Sequence, residues 1–421
     1  MKIALITNRD LGVWQLRREL IQTLIYNGHH VTVITPEGPF IEQIKSLGAT
    51  VELIDMQRYV SIKTDIASVF QIYHILKKDK YDIVYTMTVK PNIYGMIAAK
   101  LAGIPKRFGL VCGLGYGFVQ PQNMKQRLFQ YILHKMYRLG GLCTNQYVFQ
   151  NFDDRDLMIE KNIISKDKTV VIKSSGIDLE LYSPNNVNKN QVIRIRNNEF
   201  GVNDDTIVVG VITRMTVTKG IRDFIQASRI ATEWNIKVMF IAVGECELDD
   251  SDYLQRNELK ETSNFKWLGF RTDIKELLQC IDIVTLPSFY REGIPRILLE
   301  GMAMHKPIVT TDNVGCRETV DNGVNGFIVP IKEPNKLADA IKKLVLDKNL
   351  REQFGENSFL KVKKEFEIKS VIKRLTEDVL GIKNIQFPDS FVSMLKLVDD
   401  DVNTNNSDIR QSHREGSREA A

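Results

Sequence analysis

The sequence predicts an α/β protein made of two doubly wound domains, each built on a parallel sheet. Short apolar runs alternate with helix-length amphipathic segments through both halves of the chain, which is typical of repeated βαβ units. The 421 residues suffice for two domains with separate cores. An Asn-rich segment at 183–190 interrupts the alternation. We therefore expect an N-terminal domain at 1–182, a linker at 183–205 and a C-terminal domain at 206–365.

The individual elements follow from the apolar runs and from the helical spacing between them. In the N-terminal half we predict strands at 2–7, 31–35, 50–53, 83–86, 108–111, 146–149 and 169–172, and helices at 14–26, 66–77, 92–101 and 125–138. In the C-terminal half we predict strands at 207–213, 238–243, 265–268, 281–286, 307–310 and 327–329, with helices after Pro334 and Leu350. The polar composition of 384–421 cannot fill a core and predicts a disordered tail.

Composition and hydropathy exclude several classes of protein. Apolar residues make up 43% and charged residues 26% of the chain, as in an ordinary globular protein. No apolar run reaches 18 residues, and the apolar N-terminus turns polar at Asn8, too early for a signal peptide. The 5 cysteines and 6 histidines lack paired or ligand-like spacing, so neither disulfides nor a metal site are expected. These features predict a cytoplasmic protein with reduced thiols.

The charge is distributed unevenly between the two halves. Residues 1–180 contain 23 Lys and Arg against 16 Asp and Glu, whereas the remainder contains 34 against 36. A basic half suits anionic lipid, a diphosphate-bearing acceptor or nucleic acid. No helix-turn-helix, zinc-finger or aromatic RNA-binding signature is present, so a nucleic-acid partner is not expected. The helix at 125–138 is basic on one side and apolar on the other, which suits a membrane surface or a core-packed helix.

The most informative motif is the segment 292–300, in which Glu292 and Glu300 stand eight residues apart around a Gly-Ile-Pro turn. It follows an apolar run and opens a helix, so backbone N–H groups can meet a hydroxylated or phosphorylated ligand there. Two carboxylates at this separation can hold separate parts of one ligand, such as a sugar ring and a ribose. The alternative is a pair of solvated carboxylates, which the helix dipole favours at a helix start.

A second cluster follows the first strand of the C-terminal half, where Arg214 and Lys219 stand five residues apart. Open α/β sheets bind ligands at the carboxyl ends of their strands. Arg offers bidentate contacts to phosphate and Lys a compact positive charge, so a diphosphate is a suitable partner. On spacing alone, ordinary surface charge in a loop is the favoured explanation of the pair.

Together these motifs resemble the retaining family-4 glycosyltransferases. The resemblance covers about residues 1–380 and includes the E-x7-E segment, Arg214 with Lys219, and the run at 301–330. It implies the GT-B fold, in which two Rossmann-like domains face a cleft and a C-terminal helix, here 366–383, crosses back to the N-terminal domain. It also implies that no cofactor or metal is required, since the nucleotide-sugar is a substrate.

The resemblance implies roles for the motif residues. Arg214 and Lys219 would stabilise the departing nucleoside diphosphate, and Glu292 would contact hydroxyl groups of the donor sugar. The donor would also be bound by the N–H groups of Gly293 and Ile294, by Glu300 at the ribose, and by Gly12 through close backbone approach.

The acceptor is expected on the N-terminal domain, at the loops 88–95 and 112–117. Thr88, Lys90 and Asn92 are the predicted acceptor-binding residues. Many family-4 enzymes carry a histidine near the first of these loops, and this sequence has Thr88 and Lys90 instead, so no acceptor-side catalytic residue is assigned.

The resemblance implies transfer of a sugar, expected from a UDP-sugar, to a glycan linked to undecaprenyl diphosphate. Bacterial enzymes of this kind build surface polysaccharides and glycan precursors, which implies a peripheral position on the inner face of the cell membrane. Two alternatives are a transferase acting on a soluble sugar or glucan, and a catalytically silent GT-B subunit of a partner enzyme.

Other nucleotide-binding signatures are weak or missing. Asp250-Ser-Asp252 matches the metal–diphosphate motif of the other nucleotide-sugar transferase fold, but no apolar strand precedes it, which favours a loop. Neither a Gly-x-Gly-x-x-Gly fingerprint after the first strand nor a Walker lysine loop is present, so nicotinamide and P-loop enzymes are excluded.

Overall fold

The computed structural model describes residues 1–57, 61–119, 121, 123–246 and 252–391. Its N-terminal half contains a parallel sheet of seven strands, namely β1 (Lys2–Ile6), β2 (His30–Thr35), β3 (Thr50–Leu53), β4 (Ile83–Met87), β5 (Lys106–Val111), β6 (Gln146–Phe149) and β7 (Thr169–Val171). The strand order is β3-β2-β1-β4-β5-β6-β7, and all the pairings are parallel.

The C-terminal half contains a second parallel sheet of six strands, namely β8 (Ile207–Ile212), β9 (Val238–Val243), β10 (Phe265–Trp267), β11 (Ile283–Leu286), β12 (Ile308–Thr311) and β13 (Gly326–Val329). Its order, β10-β9-β8-β11-β12-β13, repeats that of the first sheet. In both sheets the direction of winding reverses next to the first strand, between β1 and β4 and between β8 and β11. This switch point is where open α/β sheets bind ligands.

Helices cover both faces of the sheets, which explains why the strands are almost wholly apolar. The helices of the N-terminal half are α1 (Asp10–Tyr26), α2 (Ile41–Ser46), α3 (Ile62–Asp79), α4 (Met96–Leu101), α5 (Met124–Cys143) and α6 (Phe152–Glu160). Those of the C-terminal half are α7 (Lys189–Arg194), α8 (Ile221–Ala231), α9 (Ile274–Cys280), α10 (Arg296–Ala303), α11 (Pro334–Leu346), α12 (Lys348–Glu365) and α13 (Ile368–Arg374). Segments Pro91–Gly95, Ile195–Phe200 and Leu375–Leu380 are single π-helical stretches that adjoin α4, α7 and α13.

The last helix crosses back to the N-terminal domain, as the GT-B fold requires. Ile368, Ile372 and Leu380 are buried in the same apolar cluster as Ile3 and Leu5 of β1. The two-domain α/β architecture predicted from the sequence is therefore confirmed.

The chain passes between the domains twice, and the two passages are hydrogen bonded to each other. The Ile177 N–H donates to the Phe366 carbonyl at 2.9 Å, and the Ile368 N–H donates to the Ile177 carbonyl at 3.0 Å. The passages therefore form one connection between the domains rather than two independent strands of chain.

The predicted linker at 183–205 differs from the structure. Asn188 caps a helix by accepting a hydrogen bond from the Gln191 N–H, and this helix continues to Phe200. Ile195 and Phe200 are fully buried in the core of the C-terminal domain. The Asn residues that suggested an open linker are helix-capping and turn residues at the edge of that domain.

The start of the predicted tail is also ordered by contacts. The Gln386 N–H donates to Asn27 Oδ1 at 3.0 Å, and Asn27 Nδ2 donates back to the Gln386 carbonyl at 2.8 Å. Phe387 and Phe391 pack against the N-terminal core. The expected disorder therefore does not hold for 384–391, and the remainder of the predicted tail lies outside the described residues.

All five cysteines are free thiols, and four of them are buried. Within the described residues no helix is long and apolar enough to cross a membrane. The same part of the chain brings together no group of three or more His, Cys, Asp or Glu side chains suited to a metal ion.

Candidate active site

Two neighbouring loops at the switch point of the C-terminal sheet carry the predicted donor-site residues. One loop follows β8 and contains Arg214 and Lys219, and the other follows β11 and contains Glu292. Gly220 lets the loops touch, because a Cβ there would overlap the carbonyl oxygen of Pro287. Its φ of 74° lies in the left-handed region, which also favours glycine.

Lys219 and Glu292 form an ion pair across these loops. Lys219 Nζ contacts Glu292 Oε1, and only 9% of the Lys219 surface is exposed. Ser288 Oγ donates to the same carboxylate oxygen at 3.0 Å. Lys219 Nζ also lies 5.2 Å from the centre of the Tyr290 ring, a cation–π contact. The site thus places a buried cation and a carboxylate side by side at the switch point.

The short turn that presents Lys219 is held by backbone contacts from both sides. The Phe289 and Tyr290 N–H groups donate to the Thr218 carbonyl at 2.8 and 3.0 Å. Asp252 Oδ2 accepts from the Thr218 N–H at 2.8 Å. One carboxylate of the Asp-Ser-Asp sequence therefore supports the lysine turn, while Asp250 lies outside the described residues.

Arg214 lies two residues after the end of β8 and is half-buried. The next residue, Met215, donates its N–H to the Glu245 carbonyl at 3.0 Å, which ties this loop to the loop after β9.

Burial raises the pKa of the nearby Cys316 thiol to about 12, and the Glu292 carboxylate adds to that shift. The thiol is therefore protonated at neutral pH and is no nucleophile.

Gly293 lies at a close contact between the two domains. A Cβ at Gly113, in the loop after β5, would stand 2.7 Å from the Gly293 nitrogen. A Cβ at Gly293 itself would overlap Gln150 Oε1 and the Cys112 carbonyl. Ile294 is buried in the C-terminal core. Gly293 is thus closely surrounded by residues of the N-terminal domain, and the Ile294 side chain is part of the C-terminal core.

Glu300 is buried in the first turns of α10, and its carboxylate already has hydrogen-bond partners within the protein. Arg296 Nε donates to Glu300 Oε1 at 2.9 Å, and the Tyr182 hydroxyl is hydrogen bonded to the same carboxylate. Burial raises the pKa of Tyr182 and the Glu300 charge raises it further. Arg296 Nη1 also donates to the Gln15 carbonyl of α1 at 2.5 Å, so the Glu300 region contacts the N-terminal domain.

On the N-terminal side, Thr88 joins the two strands of the switch point. Its Oγ1 donates to Asn8 Oδ1 at 2.8 Å, and its φ is 74°. Gly12 lies in the first turn of α1 rather than in a loop, and a Cβ there would meet no atom within 4 Å. Thr88 and Gly12 are thus both placed at the carboxyl edge of this sheet.

The structure corrects the assignment of Asn92 to the acceptor. Asn92 is fully buried, its Oδ1 accepts from Thr86 Oγ1 at 2.6 Å, and its Nδ2 donates to the Leu110 carbonyl at 2.8 Å. It joins β4 to β5 and cannot reach an acceptor. Lys90 is likewise buried, and its side chain is paired with Asp65 at 2.5 Å.

Sequence reasoning missed the residues that link the domains around the site. Arg291, next to Glu292, pairs with Asp154 of the N-terminal domain at 2.5 Å. Glu318, given no role from the sequence, pairs with Lys173 at 2.7 Å. Charged residues beside a motif give no sign of their partner until the fold brings the partner near.

Family models match both halves of the chain. Residues 193–361 match the model of glycosyl transferases group 1, and residues 2–141 match that of glycosyl transferase 4-like domains. The first of these regions contains Arg214, Lys219, Glu292 and Glu300.

Curated relatives cover most of the chain. It is 30% identical over 364 residues to the N,N′-diacetylbacillosaminyl-diphospho-undecaprenol α-1,3-N-acetylgalactosaminyltransferase of Campylobacter jejuni, covering 85% of this chain and 93% of the relative. It is 26% identical over 343 residues to the UDP-Gal:α-D-GlcNAc-diphosphoundecaprenol α-1,3-galactosyltransferase of Escherichia coli, covering 80% and 86%.

The fold matches that of solved glycosyltransferase structures. Anabaena Alr3699/HepE in complex with UDP superposes with a TM-score of 0.73 at 21% identity, covering 90% of this chain and 100% of that one. The shared fold is GT-B. The chain therefore belongs to the glycosyl transferases group 1 family and is a glycosyltransferase.

Proposed function

We propose that the protein moves a sugar from a UDP-sugar to a lipid-diphosphate-linked glycan, with retention of the anomeric configuration. The buried pair of Lys219 and Glu292 at the switch point is the observation that carries this proposal. The names of the two relatives support the acceptor class, since both act on saccharides joined to undecaprenol through a diphosphate. The name of the second relative specifies UDP-galactose as its donor.

The chemistry proposed for the site is electrostatic. Arg214 and Lys219 offset the negative charge that develops on the departing diphosphate, in a site already organised to receive it. Glu292 accepts hydrogen bonds from donor-sugar hydroxyls and so fixes the ring. The acceptor hydroxyl is the nucleophile, and the departing phosphate takes its proton on the same face of the sugar.

We also propose that turnover needs no added metal, because two cationic side chains serve the diphosphate. Chelation with EDTA should then leave the rate unchanged. A rate that falls with EDTA and returns with Mg²⁺ would contradict this part of the proposal.

The helix α5 supports a position on the membrane surface. Apolar side chains stand exposed along it beside exposed cationic ones, which is the composition of a helix that lies on anionic lipid. The exposed apolar residues are Met124, Leu128, Phe129, Tyr131, Ile132, Leu139 and Leu142, and the cationic ones are Lys125, Arg127, Lys135 and Arg138. We propose that this face meets the inner leaflet, where the lipid-linked acceptor is held.

The donor proposal is tested with a thermal-shift panel of UDP, GDP, ADP and dTDP. A nucleotide at 100 times its Kd stabilises the protein by about 2.7 kcal/mol. UDP should raise the melting temperature of the wild type, and Glu300→Ala should lose that shift. Glu356→Ala, which changes an exposed carboxylate on α12, should keep it.

A shift with GDP instead of UDP would overturn the donor assignment. Turnover on a synthetic lipid-diphosphate glycan but not on a soluble glucan would support the acceptor class. The reverse preference would favour the soluble-acceptor alternative. No shift with any nucleotide would favour the silent-subunit alternative.

A further inference from the structure

The loop that carries Glu292 is held in place by the opposite domain. Arg291 Nε donates to Asp154 Oδ1 at 2.5 Å, and Asp154 is fully buried. Asn151 Nδ2 lies 3.3 Å from the Glu292 carbonyl and 3.4 Å from the Gly293 carbonyl. The Asn151 amide therefore contacts the backbone carbonyls of Glu292 and Gly293, and the Asp154 carboxylate contacts the side chain of Arg291.

Asn151 and Asp154 are themselves joined at the start of α6. Asn151 Oδ1 accepts from the Asp154 N–H at 2.7 Å, and Asn151 Nδ2 donates to Asp154 Oδ2 at 3.1 Å. This arrangement is an N-cap, which fixes the direction of both side chains. The helix thus presents one amide and one carboxylate to the Glu292 loop in a defined geometry.

The burial of Asp154 makes this contact costly to break. Burial raises the pKa of the Asp154 carboxyl, and Arg291 opposes the shift by favouring the charged form. A buried carboxylate without its cation is strongly destabilising. Arg291 and Asp154 are therefore expected to remain together whenever the domains are placed as they are here.

Other interdomain ion pairs lie nearby but do not contact the Glu292 loop. Arg317 pairs with Asp153 at 3.5 Å, and both side chains are more than a third exposed. Asp153 and Asp154 are adjacent in the chain, yet only Asp154 contacts the residue beside Glu292. This difference distinguishes a contribution to the donor site, expected of Asp154, from a general contribution to the contact between the domains, expected of Asp153.

We infer that Asn151 and Asp154 are positioning residues that fix Glu292 against the donor sugar, so that the donor-sugar site of one domain is completed by the other. The inference rests on the proposed role of Glu292. Binding of the nucleotide part of the donor is assigned to Arg214, Lys219 and Glu300. In the hydrogen bonds that the structure describes, neither Asn151 nor Asp154 contacts the side chains of those three residues.

The test compares Asn151→Ser with Asp153→Asn. Serine retains a capping oxygen but does not reach the Glu292 and Gly293 carbonyls, so the fold should persist. Asn151→Ser should lower kcat by about tenfold or more, because small misplacements of reacting groups are costly. Its Kd for UDP should stay unchanged, and Asp153→Asn should match the wild type in both measurements.

A double-mutant cycle shows whether the effect passes through Glu292. If it does, Asn151→Ser adds little to the loss caused by Glu292→Gln, since the two changes remove one function. Fully additive losses would overturn the inference, as would wild-type kcat in Asn151→Ser. Wild-type kcat in Glu292→Gln would instead refute the proposed role of Glu292, which distinguishes the two failures.

Asp154 is tested with a neutral pair, because Asp154→Asn alone leaves Arg291 without its counter-ion. Asp154→Asn combined with Arg291→Gln removes both charges together. This double variant should melt near the wild-type temperature and still show the lowered kcat with unchanged UDP affinity. A melting temperature lowered without loss of kcat would assign the pair a purely structural role and overturn the inference for Asp154.

Discussion

At the scale of single residues, the donor site depends on charges that the loops bury. Lys219 is almost inaccessible and shares its carboxylate partner with Ser288. Such a cation is fixed before a ligand arrives, and a fixed charge stabilises a developing negative charge without reorganisation. Arg214, on the same loop, is half-buried and so is more accessible to solvent than Lys219.

Arg214→Ala should therefore lower kcat by about 10²–10³, because one charge opposite the departing diphosphate is lost. Steady-state kinetics with a saturating UDP-sugar would measure this. Arg222→Ala, which removes an exposed arginine paired with Glu258 in the same domain, should leave kcat unchanged. Near-normal turnover of Arg214→Ala would remove the arginine from the mechanism.

Also at the scale of single residues, the sequence pattern at Asn92 led to an incorrect assignment. Asn92 stands near a strand end and is polar, as a ligand-binding residue would be. Its amide is instead used to join β4 to β5 in the interior. A buried amide and an acceptor-binding amide have the same sequence signature, since both follow an apolar run.

At the scale of secondary-structure elements, the strands could be predicted almost completely. Both sheets are parallel and covered on both faces, so most of the strands are apolar runs with a clear start and end. The helix at 189–200 was missed because Asn residues lie before it and in its first turn, and α6 was missed because Asn151 precedes it and Asp-Asp lies in its first turn. Capping residues look like loop residues when only their composition is considered.

The exposed face of α5 gives a prediction at this scale. Changing Leu128 and Ile132 together to Ser should abolish sedimentation with vesicles that contain anionic phosphatidylglycerol. Each Leu or Ile loses about 1.5–3 kcal/mol of burial, so binding should weaken more than tenfold. Leu346→Ser with Leu360→Ser, exposed leucines of the C-terminal domain, is the matched control and should bind normally. Equal sedimentation of the two variants would contradict a membrane role for α5.

At the scale of the whole molecule, the loop that carries Glu292 lies where the two domains meet. The two passages of the chain, the Arg291–Asp154 pair and the Gly113–Gly293 contact all join the same two domains. We therefore expect substrate binding to depend on the distance between the domains, because changing that distance would move the backbone around Glu292.

Gly113→Ala should force the domains apart. Its φ is 117°, and the new Cβ would stand 2.7 Å from the Gly293 nitrogen. We expect a larger radius of gyration by small-angle X-ray scattering and a lower kcat. Gly103→Ala is the control, since its φ of 80° is also strained but no atom lies within 4 Å. That control should lose about 1–3 kcal/mol of stability without changing the scattering. Identical scattering and kcat for the two variants would show that the glycine contact does not set the domain distance.

The sequence by itself determined the two α/β domains, the family and the position of the donor motifs, because these depend on periodicity and on residues close together in the chain. Only the tertiary structure decided that Glu300 is engaged by Tyr182, that Asn92 is internal and that Asp154 contacts Arg291. These contacts join residues from 18 to 137 positions apart. The packing of strands and domains determines which residues form these contacts. Local patterns in the sequence carry no information about that packing.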